Sequence, residues 1–165
     1  DIQRINFSDV ASISNPILPM LTGGCSPGFP LNPTNPTPPG QGAGCLGGSN
    51  GGGFGWEDIT IIKVGYQFDI GKNTYRLGYS HSDQPIPESE TLFNTLAPAV
   101  IEDHFTAGLT MPIGKNQEFN LAAMYAPATS VKGQNPVDAN AASGGTQVEI
   151  EMTQWDVQAG WAWKY

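Results

Sequence analysis

The stretch "VEIEMTQWDVQAGWAWKY", Val148 to Tyr165, decides the fold. Trp155, Val157, Ala159, Trp161, Trp163 and Tyr165 are apolar and stand at every second position. Gln154, Asp156, Gln158, Gly160, Ala162 and Lys164 between them are polar or small. Alternation of period two is the mark of a β-strand with two unlike faces. Ahead of Thr153 the phase reverses, with Val148, Ile150 and Met152 apolar and Glu149 and Glu151 charged. A reversal within one strand predicts a β-bulge or a change of surroundings.

The same alternation recurs upstream. Ile62, Val64, Tyr66, Phe68 and Ile70 alternate with Lys63, Gly65, Gln67 and Asp69. Tyr75, Leu77 and Tyr79 alternate with Arg76, Gly78 and Ser80. Phe105, Ala107, Leu109 and Met111 alternate with His104, Thr106, Gly108 and Thr110, and Phe119 to Tyr125 repeats the pattern. With a short opening piece, six strands are predicted, at 1–7, 57–70, 74–83, 101–113, 117–127 and 147–165. Two connections, "DIGKN" (Asp69–Asn73) and "IGKNQ" (Ile113–Gln117), are tight turns whose Gly and Asn tolerate positive φ. The other three, 8–56, 84–100 and 128–146, are long.

Composition limits what such a sheet can be. Of 165 residues, 39% are hydrophobic and 13% charged, and the net charge is −8. So acidic a chain lacks the basic surface that nucleic acid requires. No apolar run reaches the ~18–20 residues of a membrane-spanning helix. The 21 glycines and 14 prolines cluster, above all in the segment 8–56, which is expected to be irregular and exposed. Cys25 and Cys45 both lie in it, and in an oxidising compartment a disulfide is the natural reading, against two free thiols. In "PESETLFNTLAP" Pro87 opens and Pro98 closes a short helix, with Leu92, Phe93 and Leu96 on one face, which either caps the mouth of the barrel or contacts a ligand.

The non-apolar face separates a membrane sheet from a soluble sandwich. It is rich in small residues (Gly65, Gly78, Gly108, Gly160, Ser80, Ala122, Ala162) and poor in charge, which suits a crowded barrel interior. Tyr and Trp gather near strand ends, as in the aromatic girdles of outer-membrane barrels. Strands of this length match the ~9–11 tilted residues that cross a bilayer, and lipid-facing backbone demands closure. The expected fold is therefore all-β, an antiparallel transmembrane β-barrel. Six strands are too few, because such barrels begin at about eight. With Tyr165 in the periplasm, the three long loops fall outside the cell and both Gly-Lys-Asn turns inside. The sequence starts without Met and reads as the C-terminal portion, 1–165, of a single barrel domain.

"GFGWEDITIIKVGYQF" (Gly53–Phe68), "YRLGYSHSDQPIPESETLFNTLAPAVIEDHFTAGLT" (Tyr75–Thr110), "FNLAAMYAPATSVKGQNP" (Phe119–Pro136) and the closing stretch resemble the C-terminal part of the FadL/TodX family. "INFSDVASISNP" (Ile5–Pro16) does so too. These are Gram-negative outer-membrane transporters of long-chain fatty acids and other hydrophobic compounds. The resemblance implies a fourteen-stranded barrel, of which this chain is the last six strands. It also implies an N-terminal hatch, absent from this sequence, and lateral release of the substrate through the wall. No cofactor is implied. The partners would be a fatty acid or other hydrophobe, lipopolysaccharide and lipid, and the barrel assembly machinery. Gly160, Trp161, Trp163 and Tyr165 resemble the C-terminal signal that this machinery reads, besides anchoring the membrane interface.

No binding residue of the family falls on a clearly matching position, so candidates come from side-chain direction. Lys63, Arg76 and His104 point to the expected interior, where a cation can hold a carboxylate or pair with Asp69, Glu102 or Asp156. An enzyme is not expected: His81 and His104 are the only histidines, His81 falls on the apolar face, and no nucleophile motif accompanies them. Nor is a metal centre expected, since Asp103 and His104 alternate to opposite faces. Glu149 and Glu151 share a face and are either solvated or bridge cations to lipopolysaccharide. A general diffusion porin and a structural or adhesive barrel are the alternatives.

Overall fold

A computed structural model describes residues 1–18, 20, 45–46, 51–138 and 144–163. Six antiparallel strands form one sheet in sequence order: β1 (Ile2–Ile5), β2 (Ile59–Ile70), β3 (Asn73–Ser82), β4 (Asp103–Ile113), β5 (Gln117–Gln134) and β6 (Gln147–Trp163). The sheet is a meander, so each strand pairs with its neighbours in the chain. The six expected strands are all present. Gly71, with φ +65°, is the first residue of the two-residue link between β2 and β3, as a type II′ hairpin requires. Gly114, with φ +66°, opens the three-residue link between β4 and β5.

Register divides the residues cleanly between two faces. On the apolar face Tyr79 pairs with Phe105, Phe105 with Tyr125, and Tyr125 with Trp155, one row of four aromatics across β3 to β6. Nearer the tight turns come Leu77, Ala107, Ala123 and Val157, then Leu109, Leu121 and Ala159. A second aromatic group closes this face: Phe68 stacks on Tyr75 with ring centres 5.4 Å apart, and Trp161 lies 6.1 Å from both Phe119 and Trp163. Trp155 is 75% exposed and Val157 61%, so nothing among the described residues covers this face.

The expected loop at 128–146 is shorter than the sequence suggested, because β5 continues to Gln134. Ala126 pairs with Gln154 and Thr129 with Met152, so Pro127 and Ala128 together oppose Thr153 alone. This bulge suits Pro127, which has no N–H for the ladder. The Thr153 hydroxyl donates to the Ala126 carbonyl at 3.0 Å. Beyond the bulge β5 changes face while β6 runs straight on. Val131 meets Ile150 on the polar face, and Lys132 meets Glu149, 3.9 Å away, on the apolar one. Because β6 itself runs straight on, its phase reversal follows from a new environment, and the bulge lies in the partner strand instead.

That environment is a cap of loops over the polar face, and it holds the buried core of Ile86, Val100, Val131 and Ile150. A 3-10 turn (Glu88–Glu90) leads into a one-turn helix, α2 (Thr91–Asn94). Here the sequence misleads. Glu90, Thr91 and Asn94 are buried, whereas Leu96 is 75% exposed and the three apolar residues do not form the packed face. Hydrogen bonds explain the inversion. Asn94 donates to the carbonyls of Phe54 (2.7 Å) and Glu90 (2.9 Å) and accepts from the Trp56 indole (2.6 Å). The Ile17 amide donates to the Glu90 carboxylate at 3.0 Å.

The segment 8–56 is likewise less exposed than expected where it is described. It holds a short helix, α1 (Ala11–Ser14), and buries Ile17, Met20 and Cys45. A side chain at Gly53 would stand 2.8 Å from the Asn15 carbonyl, so glycine lets two backbones touch. Cys45 is disulfide-bonded. Cys25, Lys164 and Tyr165 lie outside the described residues.

Candidate functional site

The polar face is built in rungs, each crossing several strands. One contains Lys63, Ser80 and His104, paired in that order. The next toward the tight turns holds Gly65, Gly78, Thr106, Met124 and Asp156. Below it run Gln67, Arg76, Gly108, Ala122 and Gln158, and then Asp69, Thr74, Thr110, Asn120 and Gly160. Gly78 gives room to Thr106, whose hydroxyl would collide with a side chain there. Lys63, Arg76 and His104, expected on one face, are on one face. Lys63 and His104 share a rung, and Arg76 stands two rungs away.

Among the described residues none of the three pairs with an acid. Arg76 donates from Nε to Gln67 Oε1 (2.9 Å) and from a terminal nitrogen to Thr110 Oγ1 (2.8 Å). Thr110 in turn donates to Asn120 Oδ1 at 2.6 Å. All these partners are neutral, so the network orients the guanidinium without cancelling its charge. Lys63 Nζ donates to Gln3 Oε1 at 3.1 Å, again a neutral acceptor. Of the two readings, the pairing with Asp69, Glu102 or Asp156 does not form among the described residues: Asp69 accepts instead from the Thr74 hydroxyl at 2.6 Å. Small residues beside Arg76, namely Gly108, Ala122 and Gly160, leave a hollow of 300 Å³.

His104 has different surroundings. It lines a cavity of 280 Å³ between the sheet and the cap, together with Phe7, Trp56, Met152 and Gln154. Among the described residues neither its ring nor the Gln154 amide has a hydrogen-bonding side-chain partner. Sequence reasoning found His104 from strand alternation, but not Gln154 or the cavity. The cavity's walls come from five stretches of the chain, around residues 7, 56–59, 82–85, 98–104 and 152–154, and no local pattern signals their meeting.

The other face carries a second polar group. His81 and Asp103 pair across β3 and β4, with Nδ1 2.9 Å from Oδ1, and the Tyr79 hydroxyl donates to the same carboxylate at 2.7 Å. His81 is on the apolar face, as expected. His104, next to Asp103, points the opposite way, also as expected. Glu149 and Glu151 share this face, and Lys132 engages Glu149. Charged groups on it therefore begin directly above the aromatic row. Between that row and the tight turns the strands' apolar-face positions carry no charged residue.

Gly160 lies on the polar face opposite Asn120, while Trp161 and Trp163 lie on the apolar face. Comparison of the chain with protein-family models, with curated proteins and with solved structures finds no match.

Proposed function

We propose that this chain forms part of the wall of a Gram-negative outer-membrane β-barrel that takes up long-chain fatty acids or other hydrophobic compounds. The observation that carries the membrane placement is the uncharged apolar face bounded by two aromatic groups. Trp155 and Trp163 are eight residues apart, about 26 Å along a strand. At a tilt of ~40° that is about 20 Å along the membrane normal, close to the ~25 Å apolar band of such barrels. Water would penalise this face heavily, while lipid would not. The outer edge of β6, seventeen residues long and unpaired among the described residues, also asks for a further strand, since unpaired backbone is costly in lipid. In this reading the cap faces the cell exterior and the Gly-Lys turns face the periplasm.

The polar face then lines the interior, and Lys63 and Arg76 on it favour an anionic end group on a hydrophobic substrate. Arg76 has donors to spare and only neutral partners, and the hollow beside it admits a ligand. Replacing Arg76 by Ala in the full-length protein should weaken fatty-acid binding by about ten- to a hundredfold and spare alkane binding, because a charge-assisted hydrogen bond contributes ~1.5–3 kcal/mol. Equal loss for both ligands, or none, rejects Arg76 as the carboxylate anchor. Liposome swelling separates this function from a porin. Slow entry of small sugars alongside uptake of palmitate fits a hydrophobe transporter, and rapid sugar entry refutes it.

A further inference from the structure

The cavity under the cap has the form of a ligand site that is separate from Arg76. Its walls are apolar and partly aromatic, with Phe7 and Trp56 packed edge to face at 5.0 Å, and Ile59 and Met152 beside them. Its polar side chains are Ser82, Asp83, His104 and Gln154, and the last two converge. Gln154 pairs with Ala126, and His104 stands one residue beyond the Phe105–Tyr125 pair on the neighbouring strand, so both flank Ala126. Imidazole and amide each offer a donor and an acceptor, and neither is used within the described residues. Apolar walls with a few convergent polar groups are the usual composition of a small-molecule pocket.

Charge and size narrow the occupant. Asp83 also lines the cavity, where it accepts from the Thr60 amide at 2.9 Å. A carboxylate ligand would meet a like charge there, so an uncharged head is favoured. At 280 Å³ the cavity lies at the small end of the ~300–1,000 Å³ of ligand pockets, too small to enclose a long acyl chain. We propose that it binds a small uncharged hydrophobic compound, one ring or a short chain in size, whose single hydroxyl or carbonyl group is held by His104 and Gln154. This rests on the reading of the chain as part of a hydrophobe transporter. The cavity is then a site on the outer side of the barrel, which such a compound reaches before Arg76.

The test uses the full-length protein purified in detergent, with p-cresol as ligand and toluene as its counterpart lacking the hydroxyl. Titration calorimetry should show p-cresol binding that falls at least tenfold in His104→Ala and in Gln154→Ala, while toluene binding stays the same. Ala99→Phe, which fills the cavity, should abolish binding of both. Folding of each variant is checked by heat-modifiable gel migration, and if Ala99→Phe does not fold the two polar variants decide. Absence of p-cresol binding to the wild type, or equal binding to wild type and His104→Ala, overturns the proposal. Palmitate uptake by the wild type is measured in parallel. Uptake without cresol binding at this site rejects the site alone, whereas loss of all hydrophobe uptake rejects the transport reading itself.

Discussion

Two carboxylates attach the first loop to the rest of the protein, and their protonation acts in opposite directions. Burial raises Glu90 above the ordinary glutamate range, and the hydrogen bond from the Ile17 amide offsets this only in part. The folded cap therefore holds the Glu90 proton more tightly than the unfolded chain does. Its contribution is greatest below the ordinary glutamate pKa and declines as pH rises through the raised value. Asp58 is the reverse: the Ser8 amide, 2.9 Å away, and then Arg4 hold it below the usual range. Its contribution is present above the ordinary aspartate pKa and is lost as pH falls through the lowered one. Glu90→Gln keeps an acceptor for Ile17 and removes the charge, so it should flatten the decline above the glutamate range. Limited proteolysis of the first loop between pH 4 and 8 measures this, and an unchanged pH profile contradicts it. Gly133 is a second sensitive residue. A side chain there would occupy the space of the Glu88 carbonyl and the Thr91 hydroxyl. Gly133→Ala should destabilise the cap by about 1–3 kcal/mol, as overpacking does, read as faster proteolysis of the 84–100 loop.

At the scale of the element, the strands were legible because each keeps one phase over its length. Tyr75, Leu77 and Tyr79, or Phe105 to Met111, need no tertiary knowledge to be assigned a face. What escaped was the upper half of β5. Pro127 ends the visible alternation, and Ser130, Lys132 and Gly133 are weak strand formers, so the continuation depends on pairing with Val148 to Met152. The cap escaped for a related reason: Glu90, Thr91 and Asn94 are buried through bonds to Ile17, Phe54 and Trp56, which are distant in the chain. The polar partners of Arg76 were similarly hidden, since Gln67 and Thr110 become neighbours only through register. The bulge permits a sharp experiment. Inserting one alanine between Thr129 and Ser130 leaves the bulge in place, and a regular ladder above it would turn Lys132 toward the core and Val131 away from it. The cap should then open while the lower sheet survives. Rapid cleavage in the 84–100 and 135–146 loops, with aromatic circular dichroism of the lower strands retained, is the expected result, and an intact cap would refute the account.

At the scale of the whole molecule, the two faces answer to different media, and a charge placed on each should reveal which. Ala107 and Ala122 are close neighbours in the sheet: Gly108 pairs with Ala122, and Ala107 with Ala123. Both are small, both lie midway between the two aromatic groups, and they point to opposite sides. Were the sheet one layer of a soluble sandwich, an arginine on its apolar face would be buried against a protein core, and salt or detergent would make little difference. In a barrel wall Ala107 meets acyl chains near the bilayer midplane, where an arginine costs about 2–4 kcal/mol. Ala122 faces the interior, beside Arg76 and Gln158, where an added arginine meets polar groups and costs less. Folding of full-length Ala107→Arg into lipid vesicles should therefore be impaired by that amount relative to the wild type. Ala122→Arg should be impaired less. Moving the arginine up to Thr153, above the aromatic row, should remove most of the penalty, because the headgroup layer solvates it. Equal effects at positions 107, 122 and 153 would show that depth and face do not matter, and the membrane placement of this sheet would fall with them.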